Sequence, residues 1–590
     1  MRGSSVGVAA LAISPCVALA IATVSLARAG QTVSSKAHEP VVLKDENGRP
    51  IDPRADNPAP YSPRASCGGC HDIDAIARAY HFTMGADELR DDWGTRHRNR
   101  PWMSSPGQNG GQQHMSYAWL SKKTNARADA VGLTPWAYAR TCGVCHPGGS
   151  IFERDRDGQR FDRRQAAEPQ LAASLDGDYH KADWVRSGVL EPDCMMCHMP
   201  RYDMKARTDQ LAKANFRWAA TVGARLGSVE GSVLEGQTPR LAYHPDVAAK
   251  GVVEIVPARS TDANCLLCHG EAETKKRGHV WDGRNEDVHA KIACTACHPT
   301  GADHQVTKGH SNAVFLRDDL DNDKVSCRSC HNERRLGATK PAHAGIPKSH
   351  LEKIACVACH VRDSNVTAVH TVDTTTGKSV GIPTNTEAHK YGETKPWTPA
   401  VVRLRNGQIS IANALLPSWW GNRVGNVIHP LTFAETGKAF EAVKEQVRDD
   451  NGDGKPEANT EQEIRAMLES IGRMLEGGRF TTVSPAYVKG HAVWEVRDGR
   501  LVSGPHPQAS PLRWTLSHNV SKASRALGAG GCADCHGKPG GVFGTTVTVD
   551  PWDRDGKPVT VPAWRYLRLA TPDPYPTARS ASAKATGARR

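Results

Sequence analysis

The stretch that decides the architecture runs from Cys265 to His360 and repeats one five-residue pattern four times. The copies are Cys265-Leu-Leu-Cys268-His269, Cys294-Thr-Ala-Cys297-His298, Cys327-Arg-Ser-Cys330-His331 and Cys356-Val-Ala-Cys359-His360. Two thiols two residues apart can both reach the vinyl groups of one porphyrin while the next residue's imidazole falls beneath the iron, so C-x-x-C-H signals covalent c-type haem. The first and second pairs of motifs each start 29 residues apart, and the second pair follows the first by 62, a duplicated two-haem unit. The likeness extends beyond the motifs, because His289-Ala-Lys-Ile-Ala-Cys294 resembles His350-Leu-Glu-Lys-Ile-Ala-Cys356.

Working outward, four more copies stand at Cys67-Gly-Gly-Cys70-His71, Cys142-Gly-Val-Cys145-His146, Cys194-Met-Met-Cys197-His198 and Cys532-Ala-Asp-Cys535-His536. Eight motifs take 16 of the 17 cysteines. From the Cys and His frequencies, chance would supply such a pattern roughly 0.02 times in a chain of this length. Disulfides are the default use of cysteine in an exported protein, but every cysteine after Cys16 belongs to a motif. A His directly after the second Cys is not a zinc-ribbon spacing.

Arg2, an apolar stretch from Val6 to Leu26 and the small-residue site Ala27-Arg28-Ala29 predict a cleaved secretory signal over residues 1–29. Export to the periplasm is therefore expected, with the outer membrane or the extracellular space as further destinations. No later run has about 18 apolar residues, so no membrane span is expected after cleavage. The net charge of +12 invites a nucleic-acid reading. Eight haems would bring 16 propionates and turn the balance to about −4, so the basic residues are expected to pair with propionates and no nucleic-acid partner is assigned.

The motifs divide the chain into a region with haems 1–3 (30–250), the duplicated four-haem region (251–370), a cysteine-free insert (371–510), a region with haem 8 (511–576) and a Ser, Ala and Arg rich tail expected to be disordered (577–590). The predicted fold is mainly α with long loops, a multihaem cytochrome c built around a haem stack, with small β-hairpins in the insert. Proline-rich residues 30–66 read as an extended lead-in. A helix over Asp72 to Tyr80 delivers His81. Trp102, Trp119 and Trp136 are expected to pack on haem faces. Pro147-Gly148-Gly149 is expected to leave space beside the second haem. Another helix is predicted over Ala206 to Leu226.

In the insert, hairpins are predicted about Asn406-Gly407 and Asp498-Gly499. A helix starts at the capping box Thr460-x-x-Glu463, carries Ile464, Met467, Leu468, Ile471 and Leu475 as its stripe, and stops at Gly477-Gly478. Just before it, Asp449-x-Asn451-x-Asp453-Gly454 resembles the start of a calcium loop. Because position twelve is Thr460 and no incoming helix is evident, a solvated turn is favoured over bound calcium.

Eighteen of the 26 histidines lie outside the motifs. A haem iron held by one motif histidine needs a second axial ligand to be six-coordinate. The candidate distal ligands are His81, His114, His180, His289, His304, His343, His350 and His518.

The run Asn264 to His269, Asp287-Val-His289, Cys294-Thr-x-Cys-His298, Val325-Ser-Cys327-x-x-Cys-His331, His350 and Lys353-Ile-Ala-Cys356 resembles the central region of the octahaem tetrathionate reductase family, relatives of hydroxylamine oxidoreductase and the pentahaem nitrite reductases. The likeness covers about a hundred residues and a last motif at Cys532. It implies a mainly helical periplasmic protein with seven bis-His haems and one catalytic haem that reduces a sulfur or nitrogen oxyanion, so the expected substrate is a reducible inorganic species such as tetrathionate, nitrite or hydroxylamine. In that family a lysine is distal ligand to the catalytic iron, which makes Lys122 and Lys123, near the second motif, the candidate catalytic residues. The competing expectation is an electron conduit with eight saturated irons and only redox proteins as partners.

Overall fold

The computed structural model describes residues 40–83, 136, 139–140, 143–155, 158–169, 182–250, 252–253, 259–269, 287–307, 325–362, 369–371, 373–377, 400–404, 406–416, 418–431, 433–478, 480–509, 511–515, 517–536 and 545–569. The expectations for the signal, for Trp102 and Trp119, and for the tail fall outside them. The architecture is mixed helix and sheet, without a closed barrel among the described residues.

The N-terminal part has an ordinary protein core. Phe161 stacks on Trp184 with ring centroids 4.8 Å apart, and Phe216 closes on both Trp184 and Trp136. The helix expected over Ala206 to Leu226 is two helices, α1 (Met204–Ala212) and α2 (Phe216–Gly223). Ala214 between them is left-handed, with φ of 58°. The buried Asn215 holds the break by donating to Gln210 Oε1 and the Gly231 carbonyl and accepting from the Val233 amide. These bonds offset the strain of a non-glycine residue in that conformation.

The middle of the chain is different. Among the described residues of 259–362, the apolar side chains that are buried are Ala290, Ala358 and Val361. Ordering each residue costs about 1 to 2 kcal/mol, whereas burying a valine returns about 1.5 to 3 kcal/mol. Among the described residues, this apolar burial is small against the cost of ordering the motif helices and loops.

The region after it is sheet-rich, well beyond the small hairpins expected. Its strands are β1 (Val369–Thr371), β2 (Ala400–Arg403), β3 (Ile409–Leu416), β4 (Ser418–Val424), β5 (Val427–Pro430), β6 (Pro485–Lys489), β7 (Ala492–Arg497), β8 (Arg500–Pro505) and β9 (Leu512–Thr515). An antiparallel five-stranded sheet has the order β8-β7-β6-β4-β5, and a second sheet gathers β1, β2 and β9 on β3. Both predicted hairpins are present, β2 with β3 and β7 with β8. Left-handed Gly407, Asp498 and Gly499 sit at their turns.

β1 and β9 both pair with the end of β3, Val369 against Ala414 and Leu512 against Leu415. The chain therefore enters and leaves this region on the two edges of one strand, with β3 between β1 and β9. After β9 it returns to the motifs: the Ser521 and Leu527 amides donate to the His360 and Cys359 carbonyls, and the Val288 amide to the Val520 carbonyl.

Helix α3 (Phe433–Glu441) and helix α4 (Glu461–Leu475) pack together on the five-stranded sheet. Ile464, Met467, Leu468, Ile471 and Leu475 are all buried, against Trp420 and Tyr487, which stack at 3.8 Å between centroids. Thr460 Oγ1 accepts from the Glu463 amide, and Glu463 Oε2 accepts from the Thr460 and Asn459 amides, while Oε1 takes the Arg448 amide. Thr460→Ala should lower stability by about 1 kcal/mol. Glu463→Ala should cost more, because three amides lose their acceptor at a side chain 4% exposed. Thermal unfolding of the two variants checks the order.

Candidate functional site

Imidazoles that are far apart in sequence meet in pairs. Six motif histidines each face one of the candidate distal histidines: His269 with His81 at 6.0 Å between ring centroids, His198 with His304 at 5.9 Å, His298 with His518 at 6.1 Å, His331 with His289 at 6.2 Å, His360 with His343 at 6.1 Å and His536 with His350 at 6.1 Å. A metal–imidazole bond of about 2.0 Å, with the nitrogen about 1.1 Å from its ring centre, sets two trans imidazoles on one metal about 6.2 Å apart. The spacing suits an ion between the rings and is too wide for ring stacking on contact.

The chain fixes several of these rings by their other nitrogen. Nδ1 of His298 bonds the Thr307 carbonyl at 2.8 Å, His331 the Thr339 carbonyl at 2.8 Å and His304 the Ala302 carbonyl at 2.9 Å. Nδ1 of His289 lies 3.2 Å from Asp287 Oδ1. A donor Nδ1 leaves Nε2 as the lone-pair nitrogen toward the partner ring. Burial raises the Asp287 carboxyl, but the His289 ring and the His289 and Val520 amides more than offset this and hold it below its ordinary value. Burial, then His343 and His331, lower His360, which favours the neutral form of the ring. His304 is left-handed, φ 56°, a conformation rare for a non-glycine residue and of the kind that surrounding structure must hold in place.

No three His, Cys, Asp or Glu side chains converge as a metal cage among the described residues. A metal held by two imidazoles alone needs its equatorial positions filled by another group. The four nitrogens of a porphyrin fill that role, and a pair of thiols beside each motif histidine offers its attachment, so the residues fit the haem c that the motifs imply.

The described thiols remain unpaired by disulfides, and they meet between motifs. Cys67 hydrogen-bonds with Cys194, Cys145 with Cys268, Cys265 with Cys294 and Cys327 with Cys356. Neighbouring motifs also approach at three further points: after burial, Cys265 adds to the rise of the Cys197 thiol, Cys330 to that of Cys297 and Cys535 to that of Cys359. These contacts set the motifs in the order first, third, fourth, fifth, sixth, seventh, eighth, with the second joining beside the fourth. The order of motifs in space thus nearly follows the chain.

His114, His180, Lys122, Lys123 and Cys142 lie outside the described residues. His71 and His146 are not among the six pairs, and the His146 ring lies 5.8 Å from Phe152. The space expected from Pro147-Gly148-Gly149 is not there. All three residues are buried, the Gly149 amide donates to the Leu190 carbonyl, and a Cβ on Gly148 would come within 2.2 Å of the Glu191 carbonyl oxygen. The glycines serve a close backbone approach between the second motif and the lead-in to the third.

Sequence reasoning missed a charged staple at the same junction. Arg207, 1% exposed, donates to the Gly143 and His146 carbonyls and pairs with Asp193 at 2.9 Å. Asp193 also caps the third motif helix by accepting from the Met196 amide, and it accepts from the Tyr202 hydroxyl. Burial raises the Asp193 carboxyl against the opposing pull of Arg207 and Tyr202. One buried ion pair thus fixes two motifs to each other. A lone arginine in a helix gives no signal of this.

No protein-family model, curated protein or solved structure matches the chain.

In the mature protein, His304→Ala should convert one low-spin iron to high spin, read by electron paramagnetic resonance, with the other irons unchanged. An unaltered spectrum would show that His304 ligates nothing.

Proposed function

We propose that the chain is an exported octahaem c-type cytochrome that passes electrons along a row of haems, with redox proteins as its partners. The observation that carries this reading is the set of six imidazole pairs at one spacing, each made of a motif histidine and a remote one. Haem c, when bound, supplies one-electron redox chemistry at each site. The chain's residues then do three things. The thiols would anchor the groups, the paired imidazoles would hold six of the irons, and Asp287 and the Thr307, Thr339 and Ala302 carbonyls each hold Nδ1 of a ring so that Nε2 is left to ligate. The thiol contacts between successive motifs bring neighbouring attachment sites together. The sparse apolar burial over 259–362 also supports a prosthetic interior. Among the described residues no helix is long and apolar enough to cross a membrane.

A second reading assigns catalysis to one haem, the reduction of a sulfur or nitrogen oxyanion as the resemblance to the octahaem tetrathionate reductases implies. What favours it is the second motif's position: Cys145 joins the row sideways at Cys268, as suits a centre fed by a row of carriers. Lys122 and Lys123 are its candidate residues. The two readings separate in one assay. The conduit reading expects the dithionite-reduced protein to give up eight electrons to an artificial acceptor while tetrathionate, nitrite and hydroxylamine leave it reduced. Steady turnover of any of the three with reduced viologen, lost in Lys122→Leu or Lys123→Leu, would establish the enzyme instead.

A further inference from the structure

The loop ahead of α4 gathers more oxygen donors than a solvated turn requires. Asp449, Asn451, Asp453 and Glu457 occupy positions one, three, five and nine of a run whose sixth residue is the left-handed Gly454, φ 81°. Calcium loops place ligands at one, three, five, seven and nine with glycine at six. The feature outside the run's pattern is Glu457. It is 2% exposed, and its Oε2 is buried without a hydrogen-bond partner. Its Oε1 accepts from Asn451 Nδ2, which turns the carboxylate toward the loop. A buried carboxylate oxygen without a donor is unfavourable until a cation or a proton meets it.

The surroundings enclose the same point. A turn from the C-terminal part of the chain lays left-handed Gly556 on the loop so closely that a Cβ there would come within 2.3 Å of Glu457 Oε1. Asn451 Nδ2 also reaches the Gly556 carbonyl.

We infer that Asp449, Asn451, Asp453, Glu457 and the Lys455 carbonyl form a calcium site that ties the entry to α4 and the Gly556 turn into one unit. The position-twelve ligand that Thr460 cannot supply is replaced by Glu457 at position nine, and Thr460 is used instead as the cap of α4. The carboxylates do not converge on one point in the ion-free arrangement. The Asp449 carboxylate is occupied by the Gly452, Asp453 and Gly454 amides. Binding therefore draws Asp453 and Glu457 inward and tightens the loop. The mixture of carboxylate, amide and carbonyl oxygens on a pliable loop favours Ca²⁺ over Mg²⁺, which demands stricter octahedral geometry and keeps its water.

Full-length haem-loaded protein, stripped with a chelator and desalted, is titrated with calcium chloride and separately with magnesium chloride by calorimetry. One calcium should bind with Kd of about 10⁻⁵ to 10⁻³ M, the range of sensor and extracellular sites, and the melting midpoint should rise with calcium. Glu457→Gln and Asp453→Asn should each weaken binding at least tenfold. No calcium heat in the wild type, unchanged affinity in both variants, or magnesium binding as tight as calcium would each overturn the site. The wild-type titration decides even if a variant fails to fold. The outcome is independent of the haem reading, because no motif residue takes part.

Discussion

Six pairs of imidazoles held about 6 Å apart, between residues separated by as few as 17 and as many as 220 positions, are the constraint on which the middle of this molecule depends. At that spacing face-to-face stacking is out of reach, and three of the pairs meet edge to face. The separation suits the haem irons proposed between the rings, and among the described residues no third protein ligand converges with them. The carbonyl and Asp287 contacts to Nδ1 orient the rings in a way that supports that reading. Loops of little intrinsic stability can then be ordered by bonds to a group they enclose.

The three parts of the chain differ in what holds them. The N-terminal part is closed by stacked Phe161 and Trp184 with their aromatic neighbours, and by the buried Arg207–Asp193 pair. The sheet-rich part rests on Trp420, Tyr487 and the apolar stripe of α4. Between them, the apolar side chains buried among the described residues of 259–362 are two alanines and a valine. Because β1 and β9 leave and return at the same strand, β3, the sheet-rich part can sit beside the motifs without breaking the succession from the seventh to the eighth. The His360 and Cys359 carbonyls accept from the returning chain.

Local features were legible in the sequence wherever one segment contains its own signal. The α4 capping box, both hairpin turns and all eight motifs are of this kind. The distal histidines stood out as a set through their number, but not which met which: His81 faces a motif 188 residues downstream, and His518 one 220 residues upstream. Such pairings are set by the tertiary path, which no spacing encodes. The long predicted helix failed at Ala214 because Asn215 found partners outside the helix, a tertiary choice over a local propensity. The Pro147-Gly148-Gly149 loop misled for the opposite reason. Glycine there permits close packing, and sequence cannot tell close approach from open space.

The central claim is that porphyrins occupy the spaces between paired imidazoles and complete the interior of the middle region. It is tested most directly by counting them. Protein produced in a host that matures c-type cytochromes should show a mass above the polypeptide by eight haem groups, eight haems per chain by the pyridine haemochrome assay, and no titratable thiol in the motifs. A folded, exported chain with no added mass, no Soret band and reactive thiols at the motif cysteines would contradict the account.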